Sequence, residues 1–434
     1  MNKREFEKSY TEKLNESINK RGFDISLLES IKTSLDRKFD RENGGFGLPP
    51  KFPMPQYLLF LLNYYLYKND QSAKDMLVNT LVQMSRGGIF DQIGYGFFSY
   101  STDREWKIPH YKKKLSDNAL LAIVYLKASA VLQSKELRET AEKILEFIIR
   151  DLRSEEGGFY TALNEDIEGV EGNHYLFSAN EIVNLLGETL GNLYNNFHGL
   201  DLDNIEKKRL PNILRYRIEE LSEMEKASLN SINQMLLDYR ELRANPLRDE
   251  KILTSLNGLS IWALSYAGAV LERPFYVNQA KKAYDFVNKN LIIEGQIFSE
   301  FVDGKNYKNG LLEDYSFLLV ASINLYKATK EEKYLIHAKE FADWILLKLK
   351  DKNNKLGLSD LKENELPFEL IEFEDEVIPS GGAMAILGFK ELSVILGEDY
   401  YKKQADELFK SIENRIVESP MVYLYTLIAN LWGI

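Results

Sequence analysis

Residues 116–132, SDNALLAIVYLKASAVL, are followed almost at once by residues 134–153, SKELRETAEKILEFIIRDLR. The first segment is apolar on nearly every side of a helix, whereas the second carries its charges on one face. A helix that is apolar all round is buried, and a helix with one charged face lies at the surface. This pair of segments therefore predicts a buried helix packed inside an amphipathic outer helix.

The same pairing recurs along the chain. Strongly apolar segments begin near Pro55, Ser116, Ser255, Glu313, Ser380 and Pro420, and several of these starts are about 58 to 67 residues apart. Six buried helices that alternate with amphipathic helices predict an all-α fold, the (α/α)6 toroid. The wider gap between Ser116 and Ser255 predicts an additional repeat and a helical insertion at about residues 199–250. We expect residues 1–23 to form an N-terminal helical extension and residues 24–434 to form the toroid.

The composition limits the possible functions. With 434 residues, 44% of them hydrophobic and 28% charged, the chain has the composition of a soluble globular protein. Its net charge of −11 argues against a nucleic-acid partner, and the absence of cysteine excludes disulfides and thiolate chemistry. The sequence has neither a long uninterrupted apolar run nor a signal peptide, so we expect a cytoplasmic protein that binds no membrane. The oligomeric state stays open.

A long loop, GGIFDQIGYGFFSYSTDREWKIPHYKKKLSDN (residues 87–118), leads into the second apolar helix. It is longer than ordinary connections, and it combines aromatic rings with ionisable side chains, as the wall of a ligand pocket does. Other long loops precede the remaining apolar helices. In a toroid these loops meet at one end of the ring, so residues distant in sequence are expected to line one pocket.

Six motifs, in this order, resemble those of a known family. They are GGFGLPPKFP, the aromatic loop, GGFYTALNEDIEGVEG, KILTSLNGL, EDYSFLL and PSGGAMA. From about Asp24 onward the chain resembles the thioredoxin-domain-containing family typified by spermatogenesis-associated protein 20. The resemblance is to its C-terminal region, which is similar to six-hairpin glycosidases and N-acylglucosamine 2-epimerases. It implies a six-hairpin toroid with a carbohydrate-type pocket.

The chain departs from this family in two respects. Family members typically begin with a thioredoxin-like domain, for which the residues before Asp24 leave no room, so we expect that domain to be lacking. The family's PHFEKMLYDNA reads PHYKKKLSDNA here, which puts Lys112 at the position of a glutamate, and its DADSEG reads NEDIEG at residues 164–169. Replacement of a carboxylate by an amine implies lost or altered chemistry.

Five residues are candidates for catalysis. The imidazole of His110 is a side chain suited to proton transfer, and Asp117, seven residues later, could set its tautomer. Asp91 and Glu168 lie in loops next to glycine, while Asp314, like Asp117, lies in the first turn of an apolar helix. Two carboxyl groups on either side of a glycosidic bond would suit hydrolysis. The alternatives are helix capping for Asp117 and Asp314 and a structural hydrogen bond for His110.

A second set of residues is expected to hold the ligand. Aromatic rings stack on the apolar face of a sugar while polar side chains meet its hydroxyl groups, and the candidates are Phe98, Tyr100, Trp106, Asn118, His174, Lys251, Asn257 and Tyr315. A structural aromatic core is the alternative for the rings. His337 is expected on the surface. No phosphate-binding loop or metal motif is present, so we expect neither a cofactor nor a metal.

The expected function is that of an epimerase, isomerase or glycoside hydrolase with a small, sugar-like substrate. In the first two cases His110, and in second place His174, would move a proton at a carbon atom. In the hydrolase two carboxyl groups among Asp91, Glu168 and Asp314 would serve as acid and base. The alternative is a catalytically silent protein that keeps the toroid and binds a ligand or serves as a scaffold.

Overall fold

The computed structural model of the chain describes residues 25–164, 166–167, 170–198, 222–359 and 373–431, and the structural statements below concern these residues. The helices, numbered in chain order, are α1 (Ile25–Lys38), α2 (Pro55–Lys68), α3 (Gln71–Arg86), α4 (Leu115–Leu132), α5 (Lys135–Asp151), α6 (Ala179–Leu186), α7 (Glu188–His198), α8 (Glu223–Arg240), α9 (Thr254–Val270), α10 (Pro274–Asn290), α11 (Leu312–Thr329), α12 (Glu332–Trp344), α13 (Gly381–Leu396), α14 (Asp399–Glu418) and α15 (Leu424–Leu431). A π-helical turn, Ile345–Leu349, follows α12, and a 3-10 turn, Pro420–Tyr423, precedes α15.

Six of these helices form a closed inner ring. They are α2, α4, α9, α11, α13 and α15; each packs against the next, and α15 packs against α2. The predicted (α/α)6 toroid with these six inner helices is confirmed. The predicted additional repeat is wrong, because α4 packs directly against α9 and leaves no place in the ring for another inner helix.

The outer ring consists of α1, α3, α5, α10, α12 and α14, and each of them packs on an inner helix. The connections from inner to outer helix are short. After α4, Gln133 has a left-handed φ of 54°, and the Ser134 side chain then accepts a hydrogen bond from Leu137 N to begin α5. Asn69 and Asp70 connect α2 to α3 in the same way. A left-handed residue followed by a capping side chain thus ends one helix and begins the next.

Among the described helices, α4 alone is long and apolar enough to span a membrane by length and composition. In this fold 83% of it is buried inside the protein. Its apolar surface is therefore covered by the neighbouring helices of the two rings.

Short strands lie at the end of the ring where the inner helices begin, opposite the short connections between inner and outer helices. They are β1 (Tyr100–Ser101), β2 (Pro109–His110), β3 (Lys113–Lys114), β4 (Ala162–Leu163), β5 (Asp166–Ile167), β6 (Val170–Glu171), β7 (Arg248–Asp249), β8 (Ile252–Leu253), β9 (Ile292–Ile293), β10 (Gln296–Val302) and β11 (Lys305–Asn309). β4 lies between β3 and β7 in one antiparallel sheet, and β10 lies between β8 and β11 in another. β9 also pairs with β10.

The chain folds back on itself in a similar way after several outer helices. Backbone bridges join Phe39 to Phe46, Phe90 to Phe97, Arg153 to Phe159 and Lys350 to Leu356. The second residue of each pair is buried. Glycines with positive φ, among them Gly44, Gly45 and Gly157, supply the turns. Turn geometry therefore explains these glycines.

Helices α6, α7 and α8 lie outside the inner ring. They surround a separate apolar cluster that includes Phe177, Ile182, Tyr194 and Leu236, and Ile93 of the aromatic loop packs into it. The proposed insertion at about residues 199–250 contains α8, while residues 199–221 lie outside the described residues. The expected N-terminal extension, residues 1–23, also lies outside them.

Candidate functional site

The loops that precede the inner helices are bonded to one another at one end of the ring, which we call the mouth. β3, before α4, pairs with β4, and β4 pairs with β7, before α9. β8 pairs with β10, which precedes α11. At the start of α11, Leu312 N donates to Leu358 O at 2.8 Å. Residues far apart in sequence therefore come together at the mouth.

Three aromatic rings form a partly exposed stack in the loops before α2 and α4. The ring of His110 lies on that of Tyr100, with centroids 4.7 Å apart and an angle of 12° between the planes. Tyr100 in turn contacts Phe52 at 5.0 Å. Tyr100 and His110 are directly opposite each other in the β1–β2 pair. Phe52 is 38% exposed and the other two are half-buried, so this platform of Phe52, Tyr100 and His110 offers ring surface to a ligand.

The other aromatic candidates lie in the core. Trp106 is fully buried and donates from Nε1 to Asn43 O, and Phe98 packs edge-on against Tyr111. Tyr315 is stacked on Trp344 with centroids 3.6 Å apart. The structure thus differs from the expectation for Phe98, Trp106 and Tyr315, because their ring faces are occupied by protein. Phe52, which was not among the candidates, could have been found from the KFP that ends the first family motif.

Asp117 is buried in the first turn of α4. The hydroxyl groups of Ser99 and Ser116 lie beside it, and Ser116 Oγ is 3.4 Å from its Oδ1. Burial raises the pKa of Asp117. Such a carboxyl group holds its proton to higher pH than an exposed aspartate does.

Glu313 and Asp314 are neighbours in the first turn of α11, but their surroundings differ. Asp314 is buried and accepts hydrogen bonds from Ser255 N, Ser299 Oγ and Leu311 N. Its acceptor capacity is used in tying the first turn of α9, strand β10 and the residue before α11 together, which is a structural role rather than the predicted catalytic one. Glu313 is half-buried and accepts one bond, of 3.3 Å, from Ser255 Oγ. Burial raises the pKa of both groups, that of Asp314 to about 7.

Asn118 and Asn257 hold the backbone rather than a ligand. Asn118 Oδ1 accepts from Phe97 N at 2.7 Å, and its Nδ2 donates to Phe97 O and Lys114 O. Asn257, in the first turn of α9, makes the same three bonds with Phe159 N, Phe159 O and Leu253 O. Both side chains are fully buried. The predicted contact with ligand hydroxyls is therefore replaced by a repeated clamp that ties each inner helix to the loop before it.

Asp91 lies in a buried group of charged side chains with Lys113 and Arg240. We call these three residues the ion cluster. Its Oδ2 lies 2.7 Å from Lys113 Nζ and 3.0 Å from Arg240 Nη1, and its Oδ1 accepts from Ile93 N and Gly94 N. Burial alone would raise the pKa of Asp91, but the two cations outweigh it and hold the pKa well below its usual range. Asp91 is therefore a permanent anion that fixes α8 to the ring, not the predicted acid or base.

The remaining candidates are dispersed. His174 Nδ1 lies 3.1 Å from Ala244 O, and burial followed by the charge of Arg240 lowers the His174 pKa to about 4. Lys251 is largely exposed beside Asp249. His337, expected on the surface, is half-buried and hydrogen-bonded to Tyr284 OH at 2.8 Å, so that expectation is corrected. Glu168 lies outside the described residues. Within the part of the chain that the structure describes, no group of three or more His, Asp or Glu side chains could hold a metal ion.

Comparison with known sequences finds relatives of this chain. No family model matches the chain. It is 30% identical to spermatogenesis-associated protein 20 of Homo sapiens over 443 aligned positions, which cover 89% of this chain and 55% of that protein. The protein of the same name from Mus musculus is 29% identical over the same shares. The chain is homologous to spermatogenesis-associated protein 20 over this shared part. The resemblance seen in the sequence is confirmed, and the chain spans about half the length of these relatives.

Comparison with solved structures confirms the fold class. Cellobiose 2-epimerase from Bacillus thermoamylovorans superposes with a TM-score of 0.58 at 13% identity. The alignment covers 92% of this chain and 87% of the epimerase chain. The glycoside hydrolase family 76 α-mannanase of Bacteroides thetaiotaomicron gives 0.58 at 13% identity, with shares of 96% and 98%. A D-mannose isomerase gives 0.57 at 12% identity, with shares of 90% and 86%. At such identities the likeness concerns the fold alone.

Proposed function

We propose that the chain binds a sugar or sugar derivative at the mouth and acts on it as an epimerase or isomerase, with His110 as the group that moves a proton. The observation that carries this proposal is the platform of Phe52, Tyr100 and His110. Aromatic faces suit the apolar face of a sugar ring, and an imidazole at the edge of such a surface can take or return a proton near neutral pH.

Two carboxyl groups at the mouth support a second candidate, glycoside hydrolysis. Glu313 is half-buried with a raised pKa, as suits a general acid, and Asp117 lies in the corresponding turn of α4. These two replace Asp91 and Asp314 as the pair to test, because the latter two are occupied by structural bonds.

The structural neighbours are consistent with both candidates, since their names describe a cellobiose epimerase, a mannose isomerase and a mannanase. We further propose a cytoplasmic location and a small-molecule substrate, without a nucleic-acid or membrane partner. The net charge of −11 supports the exclusion of nucleic acid.

The test is conversion of a panel of aldoses, N-acylhexosamines and disaccharides, followed by NMR for epimerised or hydrolysed product. If His110 moves the proton, His110→Ala should reduce turnover by roughly 10²–10⁴, the usual contribution of a general acid or base. His337→Ala is the matched control, because that histidine lies on α12 of the outer ring, where it is hydrogen-bonded to Tyr284 of α10. Thermal unfolding of both variants separates loss of chemistry from loss of folding.

Glu313→Gln distinguishes the two candidate reactions. Hydrolysis that is lost in Glu313→Gln and kept in His110→Ala would assign the chemistry to the carboxyl groups. No conversion of any sugar by the wild type, together with binding that weakens when Tyr100 is replaced by alanine, would identify the silent binding protein instead. Absence of both conversion and binding would refute the proposal.

A further inference from the structure

A cleft lies beside β3, and none of the platform residues lines it. It has a volume of about 670 Å³ and is bounded by β3 and β4 of the ring, the C-terminal end of α5, and the C-terminal end of α8. Its lining residues include Lys113, Arg150, His174, Tyr175, Arg240 and Arg248. Ligand pockets for small molecules have volumes of roughly 300–1,000 Å³. The cleft is thus large enough for a compact metabolite.

Cations exceed anions in the buried part of this cleft. Lys113 and Arg240 share the single carboxylate of Asp91, and Arg150 is paired with Asp151 through its Nε and Nη2 atoms. Three buried or half-buried cations therefore face two carboxylates, while Arg248, Glu241 and Glu250 line the exposed rim of the cleft. His174, with its low pKa, stays neutral near pH 7 and supplies no further charge. A net positive charge in a poorly solvated site attracts an anion.

Three hydrogen-bond donors around the cleft have no partner among the described residues. They are the hydroxyl group of Tyr175, Arg240 Nε and Arg150 Nη1. Tyr175 is 6% exposed and Arg240 is 3% exposed. Burial raises the pKa of Tyr175, so its hydroxyl group remains a donor. Buried donors without an acceptor are uncommon in native proteins and call for a missing partner.

We infer that this cleft binds the carboxylate or phosphate group of a small molecule, with Tyr175, Arg150 and Arg240 as its donors. Each of the three unpartnered atoms can donate, and the nearest buried charges are mainly positive, so an anion is favoured over a neutral hydroxyl group as the acceptor. The guanidinium group of Arg150 is the best placed to bind it, because its Nη1 has no partner among the described residues, while Asp151 and Gly94 O hold its Nε and Nη2.

Three probes with the same sugar ring test the inference: D-glucuronate, D-glucose 6-phosphate and neutral D-glucose. Binding of each to the full chain is measured by isothermal titration calorimetry, and hydrogen exchange locates the protected residues. The inference expects at least one of the two anions to bind, with protection of residues 237–250, under conditions in which glucose gives no such protection. A preference for glucuronate would identify a carboxylate ligand, and a preference for glucose 6-phosphate would identify a phosphate.

Tyr175→Phe is the decisive variant, because it removes only a hydroxyl group that has no partner among the described residues. It should keep or increase the thermal stability of the free chain and weaken anion binding about tenfold, the factor that one hydrogen bond of typical strength contributes. Tyr326→Phe, on α11, is the matched control and should bind as the wild type does. Failure of both anions to bind at millimolar concentration, or equal binding by Tyr175→Phe and the wild type, would overturn the inference.

Discussion

Replacement of Asp91 by asparagine should destabilise the protein strongly, because it removes the only carboxylate of the ion cluster while both cations stay buried. The exposed fractions of the side chains are 6% for Asp91, 1% for Lys113 and 3% for Arg240. Removal of one partner from a buried ion pair costs about 3–5 kcal/mol. The same change at an exposed pair costs at most about 1 kcal/mol.

The two cations should not contribute equally to this loss. Burial already lowers the pKa of Lys113 to about 8, so without Asp91 the lysine can release its proton near neutral pH. An arginine stays charged at all such pH values. Arg240 is therefore the main source of the penalty, and the double variant Asp91→Asn with Arg240→Met should recover part of the stability that Asp91→Asn loses.

Urea unfolding followed by tryptophan fluorescence measures the effect, and Asp36→Asn serves as the control. Asp36 pairs with Arg41 at 3.2 Å, but the two side chains are 33% and 71% exposed. Hydrogen exchange in α8 adds a local measurement, since Arg240 attaches that helix to the ring. A loss of free energy in Asp91→Asn no larger than that in Asp36→Asn would refute the assigned structural role.

Three further results are expected. Asn118→Ala and Asn257→Ala should each cost about 1–3 kcal/mol in urea unfolding, because the backbone groups of Phe97 or Phe159 lose their partners, whereas Asn353→Ala, in an exposed turn, should cost far less. Asp314 has a pKa of about 7 in the folded state against an ordinary value near 4. Between these two values the folded state holds a proton that the unfolded state releases. The contribution of Asp314 to stability should therefore fall as pH rises from about 4 to 7, by at most about 1.4 kcal/mol per pH unit. The folded pKa of His174 is lowered to about 4, so its contribution to stability rises with pH up to about pH 6.5, opposite to that of Asp314. The measurement is therefore the difference in the pH dependence of stability between the wild type and Asp314→Asn. Equal pH dependence in the two proteins would contradict the prediction for Asp314.

The inner ring was predictable because a helix that is apolar on all sides is buried at the centre of the fold. The same reasoning failed for the wide gap before α9, since α8 is amphipathic and its periodicity does not reveal whether it completes a hairpin of the ring or packs outside it. Only the direct packing of α4 on α9 decides this.

Individual site residues were harder to assign, because one side chain can bind backbone, ion or ligand equally well. Asn118 and Asn257 look like ligand contacts in the sequence, yet their amides are fully used by neighbouring loops. Asp91 finds its partner Arg240 149 positions further along the chain, which a single sequence cannot show. Tyr100 and His110 were placed at the mouth because their loop leads directly into an inner helix.

Closure of the inner ring has a consequence for biosynthesis. The ring is completed only when α15 docks against α2, and these two helices are separated by most of the sequence. While the ribosome is still making residues 373–423, the apolar side of α2 lacks its last neighbour. Nascent chains with such exposed surface are prone to aggregate and are typical clients of chaperones. We therefore expect this protein to reach its native state after translation of α15 rather than hairpin by hairpin as it emerges.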